Sequence, residues 1–456
     1  MDYTAILKAQ KDFFYAQKTK SLSSRIQALC RFKEMLISYE SRIYKSLFDD
    51  FNKTEQEAYL TEWVILIKDI ELAQQSLKKW TKKKRVGTNL LNWPGKSFTI
   101  AEPYGQSLII GTWNYPIQLT LAPAIAALAA GNTVILKPSE LALNTSQCIA
   151  AMISEYFNPD LITVVQGGVK ETSNLLKLKF DKIFFTGSTA VGKIVYQAAA
   201  LNLTPITLEL GGKSPAVITQ SAQLPKAIKR LVWAKYLNAG QTCIAPDYVF
   251  VHQKIYKQAL ALFKQELDKN KYALESNNYV QIINDQHLKR LEKLIDQNNV
   301  IYGGQISRET RCISPTLLTE VDLQDEIMKE EIFGPLLPII PFTEYQEVIR
   351  YIQSNEKPLA AYLFSKNSGE INQWLSELSF GGGCINDAIM HITNPKLPFG
   401  GVGQSGTGSY HGKAGFDTFS HYKSIFRKPS SFEVTLKYPP YTKSKMTWIK
   451  RLIRFS

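Results

Sequence analysis

The strongest constraint on the fold is a regular alternation of short apolar runs and helical segments that begins near residue 104. Polar residues are scarce within the apolar runs, which is typical of parallel strands buried on both faces of a sheet and joined by crossover helices. We therefore predict an α/β fold with a doubly wound parallel sheet. The runs that we interpret as its strands are 107–110, 133–137, 161–165 and 182–185.

The segments on either side of this series have patterns of their own. A second series of strands and helices begins with the run 216–218 and continues to about residue 380. The first eighty residues repeat apolar side chains at three- and four-residue spacing, which indicates amphipathic helices. Residues 88–101 place Asn, Pro and Gly between short apolar stretches, which predicts a hairpin. A chain of 456 residues is long enough for two or three domains.

The positive charge of the chain is concentrated at one end. A net charge of +14 would suit a nucleic-acid-binding protein. However, residues 421–456 hold nine Lys and Arg residues against Glu433 alone, so the excess belongs to the tail. Residues 445–455 mix aromatic and aliphatic side chains with cations, and they are too few and too charged to span a bilayer. Two interpretations stay open: peripheral attachment to an anionic membrane surface, or packing against a partner subunit.

The cysteines indicate the compartment. They lie far apart without C-x-x-C spacing, which argues against a zinc site and against a disulfide framework. We expect no bound metal and a reducing, cytoplasmic environment, with contact to a membrane surface as the alternative that the tail raises. The N-terminus lacks the long apolar core of a signal peptide. The five cysteines are Cys30, Cys148, Cys243, Cys312 and Cys384.

One of these cysteines has surroundings that suit a nucleophile. Cys243 follows the polar, glycine-containing stretch 238–242, between an apolar helix-like run and the strand-like run 248–252. The backbone N–H groups of such a loop can face a substrate. An isolated cysteine in a large chain is also commonly a small buried hydrophobe. On this evidence both interpretations stay open.

Two motifs at the ends of predicted strands suit a nucleotide. In 185–192 a strand ends at Thr186, a glycine turns the chain, and a helix N-terminus could bind a phosphate; a plain turn with Ser188 as N-cap is the alternative. Lys137 and Glu140 follow another strand, where ribose hydroxyls would lie. They could instead form a surface ion pair. A glutamate here would repel a 2′-phosphate, which favours NAD over NADP.

Two further polar residues stand in positions that suit catalysis. Glu209 lies within an apolar strand, and a desolvated carboxylate has a raised pKa, as a general base near neutral pH requires. Asn114 lies in the loop after the first core strand. Its neutral amide could stabilise an oxyanion without presenting a charge.

These features occur together in a known family. The chain resembles the aldehyde dehydrogenases, most closely the class 3 branch, which acts on fatty and aromatic aldehydes. The matching motifs follow the family's order over roughly residues 1–430, although Thr112 stands where many members have proline. The motifs are W-N-Y-P at 113–116, K-P-S-E at 137–140, F-T-G-S at 185–188, E-L-G-G-K-S-P at 209–215, N-A-G-Q-T-C-I-A-P-D-Y at 238–248, E-I-F-G-P at 331–335, P-F-G-G-V-G-Q-S-G at 398–406 and G-S-Y-H-G-K at 408–413.

The resemblance implies a role for each matching residue. Cys243 is implied to attack the aldehyde carbon, while the amide of Asn114 and the backbone N–H of Cys243 hold the oxyanion. Hydride transfer to the nicotinamide then leaves a thioester, and Glu209 is implied to activate the water that hydrolyses it. His411, which follows the glycine-rich stretch 400–408, is assigned no role by the resemblance; a place near the substrate mouth is the less favoured interpretation. The residues implied to bind the cofactor, NAD with NADP as the alternative, are Lys137, Glu140, Thr186, Gly187, Ser188, Gly192, Glu331 and Phe333.

The resemblance also implies the architecture. We expect the aldehyde dehydrogenase-like fold, with a Rossmann-type doubly wound cofactor domain, an α/β catalytic domain and a small β oligomerisation element in a homodimer. The predicted bounds are 1–80 and 104–208 for the NAD(P)-binding domain, 209–380 for the catalytic domain, 81–103 and 381–425 for the oligomerisation and bridging element, and 426–456 for a basic tail.

The implied activity is NAD(P)-dependent oxidation of a medium- or long-chain aliphatic or an aromatic aldehyde to the acid. Two alternatives are a CoA-acylating aldehyde dehydrogenase and a catalytically silent structural protein on the same fold. Glu209 argues against the first, because acyl transfer to CoA needs no hydrolytic base. The presence of the whole set Cys243, Asn114, Glu209 and Glu331 argues against the second.

Overall fold

The computed structural model describes residues 3–272, 279–296 and 298–454. The helices are α1 Tyr3–Tyr15, α2 Leu22–Ser38, α3 Glu40–Phe51, α4 Glu55–Ala58, α5 Val64–Trp80, α6 Pro116–Ala130, α7 Leu143–Tyr156, α8 Val169–Leu176, α9 Thr189–Leu201, α10 Leu224–Tyr236, α11 Gln253–Asn270, α12 Asp285–Asp296, α13 Glu326–Lys329, α14 Tyr345–Ser354, α15 Ser368–Glu377, α16 Gly412–Thr418 and α17 Lys443–Arg454. A π-helical turn, Tyr59–Trp63, joins α4 to α5.

Strands alternate with these helices along most of the chain. They are β1 Lys84–Val86, β2 Lys96–Pro103, β3 Gln106–Ile110, β4 Thr133–Lys137, β5 Ile162–Val164, β6 Lys182–Thr186, β7 Ile206–Glu209, β8 Pro215–Ile218, β9 Tyr248–His252, β10 Asn299–Tyr302, β11 Ile306–Ser307, β12 Cys312–Ile313, β13 Thr316–Thr319, β14 Leu336–Phe342, β15 Ala360–Phe364, β16 Gly382–Ile385, β17 Gly406–Thr407 and β18 Ser420–Arg427.

The first large sheet is the doubly wound sheet that the alternation predicts. Its order is β17-β7-β6-β3-β4-β5, with every pair parallel except β17 against β7. β3, β4 and β6 are buried at every position, which explains why polar residues are scarce within them. The helix after β3, α6, is apolar all round and almost entirely buried, as expected of a helix covered by other elements on every side.

The second large sheet has the order β10-β13-β14-β9-β8-β15-β16. It is parallel except for β10, which pairs antiparallel with β13 at one edge. β8, β14 and β15 are also almost completely buried. The second α/β series predicted after residue 211 is therefore present, and it forms a sheet of its own.

A three-stranded antiparallel sheet, β1-β2-β18, stands apart from both. β1 and β2 form a hairpin, as predicted for residues 88–101, but its first strand lies before that range, in the basic stretch at Lys84–Val86. β18 pairs with β2 along all eight of its residues. β11 and β12 pair as a separate ribbon. The segment 381–425 supplies β16 to the second sheet, β17 to the first and most of β18 to the third.

The N-terminal helices cover one side of the first sheet. α2 and α5 pack on α6, and α3 packs on α7. Leu29, Phe32 and Met35 of α2 and Ile70 of α5 lie in the main core together with α6. This placement brings the chain between α3 and α5 close to the loop that follows β3.

Candidate active site

The crevice beyond the ends of β3 and β6 is where the strand order of the first sheet changes direction. β4 and β5 lie on one side of β3, whereas β6 and β7 lie on the other. Ligands of doubly wound sheets bind at the carboxyl ends of the strands at such a point. Three of the predicted site residues, Lys137, Thr186 and Glu209, are the last residues of β4, β6 and β7.

A tight turn connects β6 to α9. Ser188 is the N-cap of α9, and its hydroxyl accepts a hydrogen bond from the backbone N–H of Val191 at 3.4 Å. A Cβ atom on Gly187 or on Gly192 would lie 2.6 Å from a neighbouring side chain, so both glycines allow close packing. The buried hydroxyl of Thr186 has no hydrogen-bond partner among the described residues. This turn can therefore receive an anionic group at a helix N-terminus.

Lys137 and Glu140 form an ion pair at the end of β4. The Lys137 side chain is 2% exposed, and its Nζ lies 3.5 Å from Oε2 of Glu140, whose side chain is 43% exposed. The same ammonium donates a hydrogen bond to the carbonyl oxygen of Pro138 at 2.8 Å. Burial lowers the pKa of Lys137, and Glu140 opposes that shift. The cation is fixed in place, while the carboxylate stays open to a ligand's hydroxyl groups.

The loop that carries the candidate nucleophile begins with a strained turn, Leu237–Gly240. Asn238 and Ala239 have left-handed backbone with φ of 54° and 52°, which is costly for residues that carry a side chain. The Asn238 side chain donates hydrogen bonds to the carbonyl oxygens of Gln241 at 3.1 Å and Asn114 at 2.9 Å. These bonds stabilise the turn and tie it to the loop after β3.

Asn114 lies directly against the thiol-bearing loop. It is 2% exposed, and its Nδ2 donates a hydrogen bond to the carbonyl oxygen of Gln241 at 3.0 Å. An amide nitrogen carries two hydrogens, so the second remains for another acceptor. The hydroxyls of Tyr115 and Thr242 are 2.6 Å apart and join the two loops a second time. The structure thus brings Asn114 and Cys243 into one site although they are far apart in sequence.

The Cys243 thiol lies in an acidic, desolvated environment. Burial raises the pKa of Cys243, and the carboxyl groups of Glu331 and Glu209 raise it further. The backbone N–H groups of Cys243 and Ile244 act in the opposite direction. The thiol is therefore protonated at neutral pH, and its nucleophilic form requires transfer of that proton.

Glu209 is a buried carboxyl group without a hydrogen-bond partner. It is 3% exposed, and neither of its carboxyl oxygens has a partner in the part of the chain that the structure describes. Burial raises the pKa of Glu209 well above its ordinary value. Its backbone is fixed on both sides, because Glu209 pairs with Thr186 of β6 and with Gly406 of β17. The side chain therefore enters the site from a rigid strand.

Glu331 and Phe333 reach the site from the segment before β14. A Cβ atom on Gly211 would lie 1.9 Å from a Glu331 carboxyl oxygen, so glycine at 211 makes room for that side chain. The rings of Phe333 and Trp113 meet edge to face at 5.2 Å. Burial raises the pKa of Glu331, Asp247 raises it further, and Lys213 lowers it.

Three charged residues that contact these loops were not predicted. Lys53, Glu57 and Glu62 lie between α3 and α5, within the stretch interpreted only as amphipathic helices. They belong to no recognised motif. The sequence held one sign of their role: Glu62 is a charged residue at a position where helical spacing predicts an apolar one.

The remaining predicted features lie elsewhere. His411 lines a small cavity with Asp69, Trp80 and Tyr410. Burial is the main cause that lowers the pKa of His411 to about 4. Burial also raises the pKa of Asp69 to about 7. All five cysteines are free. No cluster of three or more His, Cys, Asp or Glu side chains in residues 3–272, 279–296 and 298–454 could hold a metal ion.

Comparison with known proteins decides the family. The model of the aldehyde dehydrogenase family matches residues 1–425. The chain belongs to this family. As an aldehyde dehydrogenase it is an oxidoreductase that oxidises aldehydes with NAD or NADP.

Relatives of this aldehyde dehydrogenase match it over almost its whole length. The 4,4'-diaponeurosporen-aldehyde dehydrogenase of Staphylococcus aureus is 46% identical over 448 residues, which cover 97% of each chain. The dimeric NADP-preferring aldehyde dehydrogenase of Canis lupus familiaris is 42% identical over 446 residues, covering 97% of this chain and 98% of that one. The solved substrate-bound structure of Staphylococcus aureus AldH matches with a TM-score of 0.97 over 99% of this chain and 100% of that chain, at 45% identity. This match confirms the predicted aldehyde dehydrogenase-like α/β fold.

The crevice residues fit a dinucleotide. The α9 N-terminus and the unpartnered Thr186 hydroxyl suit phosphate oxygens, and the Lys137–Glu140 pair offers both a donor and an acceptor to ribose hydroxyls. Glu331, a desolvated carboxyl group beside Gly211, is a second acceptor for hydroxyl groups near Cys243.

Proposed function

We propose that Cys243 is the nucleophile that forms a thiohemiacetal and then a thioester with the aldehyde, and that Glu209 is the general base for hydrolysis of the thioester. The main support for this proposal is the buried carboxyl group of Glu209, whose two oxygens have no hydrogen-bond partner among the described residues. A carboxylate that is not engaged by protein donors is free to take a proton from water. Glu209 is the last residue of β7, and its carboxyl group is close enough to Cys243 to raise the pKa of the thiol.

Asn114 has the proposed role of holding the oxyanion together with the backbone N–H of Cys243. The bond from Asn114 Nδ2 to the carbonyl oxygen of Gln241 orients the amide and leaves one hydrogen for a developing negative charge. An amide is suited to this task because it stabilises the anion by a hydrogen bond without transferring its proton.

The proposed cofactor contacts follow from the crevice. NAD or NADP supplies the hydride acceptor when it is bound. The proposed phosphate site is framed by the turn after β6, with Thr186, Gly187, Ser188 and Gly192. Gly192 allows α9 to approach the sheet closely. Lys137 and Glu140 have the proposed role of binding the adenosine ribose, and Glu331 and Phe333 that of positioning the nicotinamide ribose and ring. The open carboxylate of Glu140 favours NAD over NADP, since it would repel a 2′-phosphate.

The proposed substrates are medium- or long-chain aliphatic or aromatic aldehydes. The Staphylococcus aureus relative is named as a 4,4'-diaponeurosporen-aldehyde dehydrogenase, which supports a large apolar substrate. NADH absorbance with an aldehyde series, measured with and without CoA, tests the proposal. We expect turnover without CoA that improves with chain length. A strict requirement for CoA would show that the acyl group is transferred rather than hydrolysed, and would contradict the role of Glu209.

Replacing Asn114 by alanine removes the proposed side-chain donor of the oxyanion site. We expect kcat to fall by about 10²-fold, the usual loss for one such donor, because the amide acts only as negative charge develops. The NADH burst rate measures the step directly. Gln74→Ala, at the surface of α5, is the control and should leave the rate unchanged. A raised KM with an unchanged kcat in Asn114→Ala would contradict the oxyanion role.

We propose the domain division given by the sequence: cofactor binding by 1–80 and 104–208, catalysis by 209–380 and oligomerisation by 81–103 with 381–425. The relative from Canis lupus familiaris is named as dimeric, and β1, fully exposed at the edge of the three-stranded sheet, supports a homodimer built through this element. Light scattering that shows a monomer at micromolar concentration would contradict it.

We further propose cytoplasmic action with peripheral membrane contact through α17. Met446 and Trp448 are each 54% exposed, beside Lys450 and Arg451. An apolar and cationic helix of this kind lies on anionic membrane surfaces. No helix in the described ranges has the length and apolar character needed to cross a membrane. Phe455, the last apolar residue of the predicted tail, lies outside the described residues.

Charge reversal in α17 tests membrane contact. Lys450→Glu/Arg451→Glu should weaken co-sedimentation with phosphatidylglycerol vesicles by on the order of tenfold or more, since each basic residue near such a surface contributes about 1 kcal/mol. Lys78→Glu/Lys79→Glu makes the same charge change on exposed residues of α5 and should leave binding unchanged. Equal losses in both variants, or no loss in the first, would favour packing of the tail against a partner subunit.

A further inference from the structure

A buried ion pair lies behind the active-site loops, in the chain between α3 and α5. Lys53 Nζ and Glu62 Oε1 are 2.7 Å apart, and both side chains are completely inaccessible to solvent. Glu62 lies in the π-helical turn Tyr59–Trp63, which is closed by a bond from the backbone N–H of Val64 to the carbonyl oxygen of Tyr59. π-Helical turns of this kind are rare and occur frequently at functional sites.

The ion pair is bonded to the loop that carries Asn114. Oε2 of Glu62 accepts hydrogen bonds from the backbone N–H groups of Ile117 at 2.9 Å and Gln118 at 3.3 Å, in the first turn of α6. Lys53 donates a hydrogen bond to the carbonyl oxygen of Asn114 at 3.4 Å. The carboxylate therefore also caps α6, where the helix dipole favours a negative charge.

A third charged residue, Glu57, binds the loop that carries Cys243. Oε1 of Glu57 accepts a hydrogen bond from the backbone N–H of Asn238 at 2.8 Å. Asn238 is one of the two left-handed residues of the strained turn, and its side chain bonds to the carbonyl oxygen of Asn114. Lys53 and Asn238 thus donate to the same carbonyl oxygen from opposite loops.

Stability alone does not account for this arrangement. The desolvation penalty of a buried ion pair commonly cancels its Coulomb attraction, and an apolar pair of similar volume is often as stable. What an apolar pair cannot supply is an acceptor for the N–H groups of Ile117 and Gln118 and a donor for the carbonyl oxygen of Asn114. The main contribution of these charged groups is therefore to fix the position of the loop that carries Asn114 relative to the rest of the site.

We propose that Lys53, Glu57 and Glu62 are positioning residues that hold the Asn114 amide and the Cys243 loop at the spacing needed for attack on the aldehyde. They act through backbone atoms of the two loops and touch neither substrate nor cofactor. This inference rests on the proposed roles of Asn114 and Cys243. It predicts that loss of the three contacts slows formation of the thioester, whereas cofactor binding around Lys137, which makes no described contact with Lys53, Glu57 or Glu62, is unaffected.

The ion pair is tested by comparing single and double variants. Glu62→Gln and Lys53→Met each leave one buried partner uncompensated and should lower both Tm and the NADH burst rate. Lys53→Met/Glu62→Leu removes both charges and should recover much of the Tm, while the burst rate at saturating aldehyde stays reduced by on the order of 10²-fold, as expected for a small misplacement of reacting groups. NAD affinity, measured by quenching of protein fluorescence, should match the unmodified enzyme.

The surface pair of Lys33 and Glu71 is a matched control. Its Nζ and Oε1 atoms are 2.8 Å apart and belong to α2 and α5, and the pair makes no described contact with either loop. Glu71→Gln should leave the burst rate unchanged. A burst rate that recovers together with Tm in Lys53→Met/Glu62→Leu would overturn the inference, because the pair would then be structural only.

Glu57 provides a test that does not depend on folding of the double variant. Glu57→Gln keeps an oxygen that can accept the Asn238 N–H, whereas Glu57→Leu removes it. We expect the burst rate to stay near that of the unmodified enzyme in Glu57→Gln and to fall by about tenfold in Glu57→Leu, the usual effect of one lost hydrogen bond. Equal rates in the two variants would overturn the inference. If instead Cys243→Ala remained active, the proposed function itself would have failed, whatever these variants show.

Discussion

Replacing Cys243 by alanine is expected to abolish aldehyde-dependent NADH formation, with a loss of roughly 10⁴-fold or more, as for removal of the nucleophile in other covalent mechanisms. Among the cysteines of the described residues, Cys243 is the one whose pKa both Glu331 and Glu209 raise, and its neighbour Thr242 is hydrogen-bonded to Tyr115 in the loop that carries Asn114. No neighbouring group can replace it, since carboxylates and amides do not form a thioester.

Stopped-flow absorbance of NADH separates this result from a general defect. Neither a burst nor a steady state should appear in Cys243→Ala, while NAD should still bind in the crevice. Cys148→Ala is the matched control. Cys148 is a half-buried thiol on α7, and burial raises its pKa to about 11, but it lies outside the crevice and should be dispensable. A normal NADH burst in Cys243→Ala would show that another residue is the nucleophile.

Replacing Glu209 by glutamine should preserve the first turnover and stop the second. The amide is isosteric with the carboxyl group, so the site keeps its shape, but it cannot take a proton from water. We expect one equivalent of NADH per active site followed by a steady-state rate lowered by roughly 10²- to 10⁴-fold, the usual contribution of a general base. Glu102→Gln, an exposed residue paired with Lys423 on the three-stranded sheet, should behave as the unmodified enzyme.

The steady-state rate should fall as the pH is lowered. Burial raises the pKa of Glu209, and only the carboxylate form can act as a base. As the pH falls through that raised pKa, the carboxylate fraction and hence the hydrolysis rate fall, at a higher pH than an exposed glutamate would produce. The residual steady state of Glu209→Gln should lack this dependence. If the rates of both enzymes fell in the same way at acid pH, the titrating group would be one other than Glu209.

Much of the fold could be predicted because its signals are local. The apolar runs at 107–110, 133–137 and 182–185 are buried at every position, and that burial is what removes polar residues from them. A turn after β6 with Ser188 as N-cap was one of the two interpretations left open, and the structure has that cap; this signal is also local, since a cap and the first helical turn lie within a few residues.

The parts that could not be predicted depend on contacts across the fold. Glu62 meets Lys53 from within the π-helical turn between α4 and α5, and helical spacing does not reveal such a turn. Left-handed backbone at Asn238 and Ala239 contradicts local preference and is held by groups from other segments. The raised pKa of Cys243 likewise arises from burial and from carboxyl groups distant in sequence.

A mechanism in which Cys243 carries the acyl group and Glu209 releases it should leave Glu209→Gln acylated after one turnover. This enzyme is reacted with an aldehyde and NAD, quenched in acid, digested with protease and analysed by mass spectrometry. We expect the peptide containing Cys243 to gain the mass of the acyl group and hydroxylamine to remove it, as for a thioester. An unmodified Cys243 peptide, or an acyl group on any other residue, would contradict this mechanism.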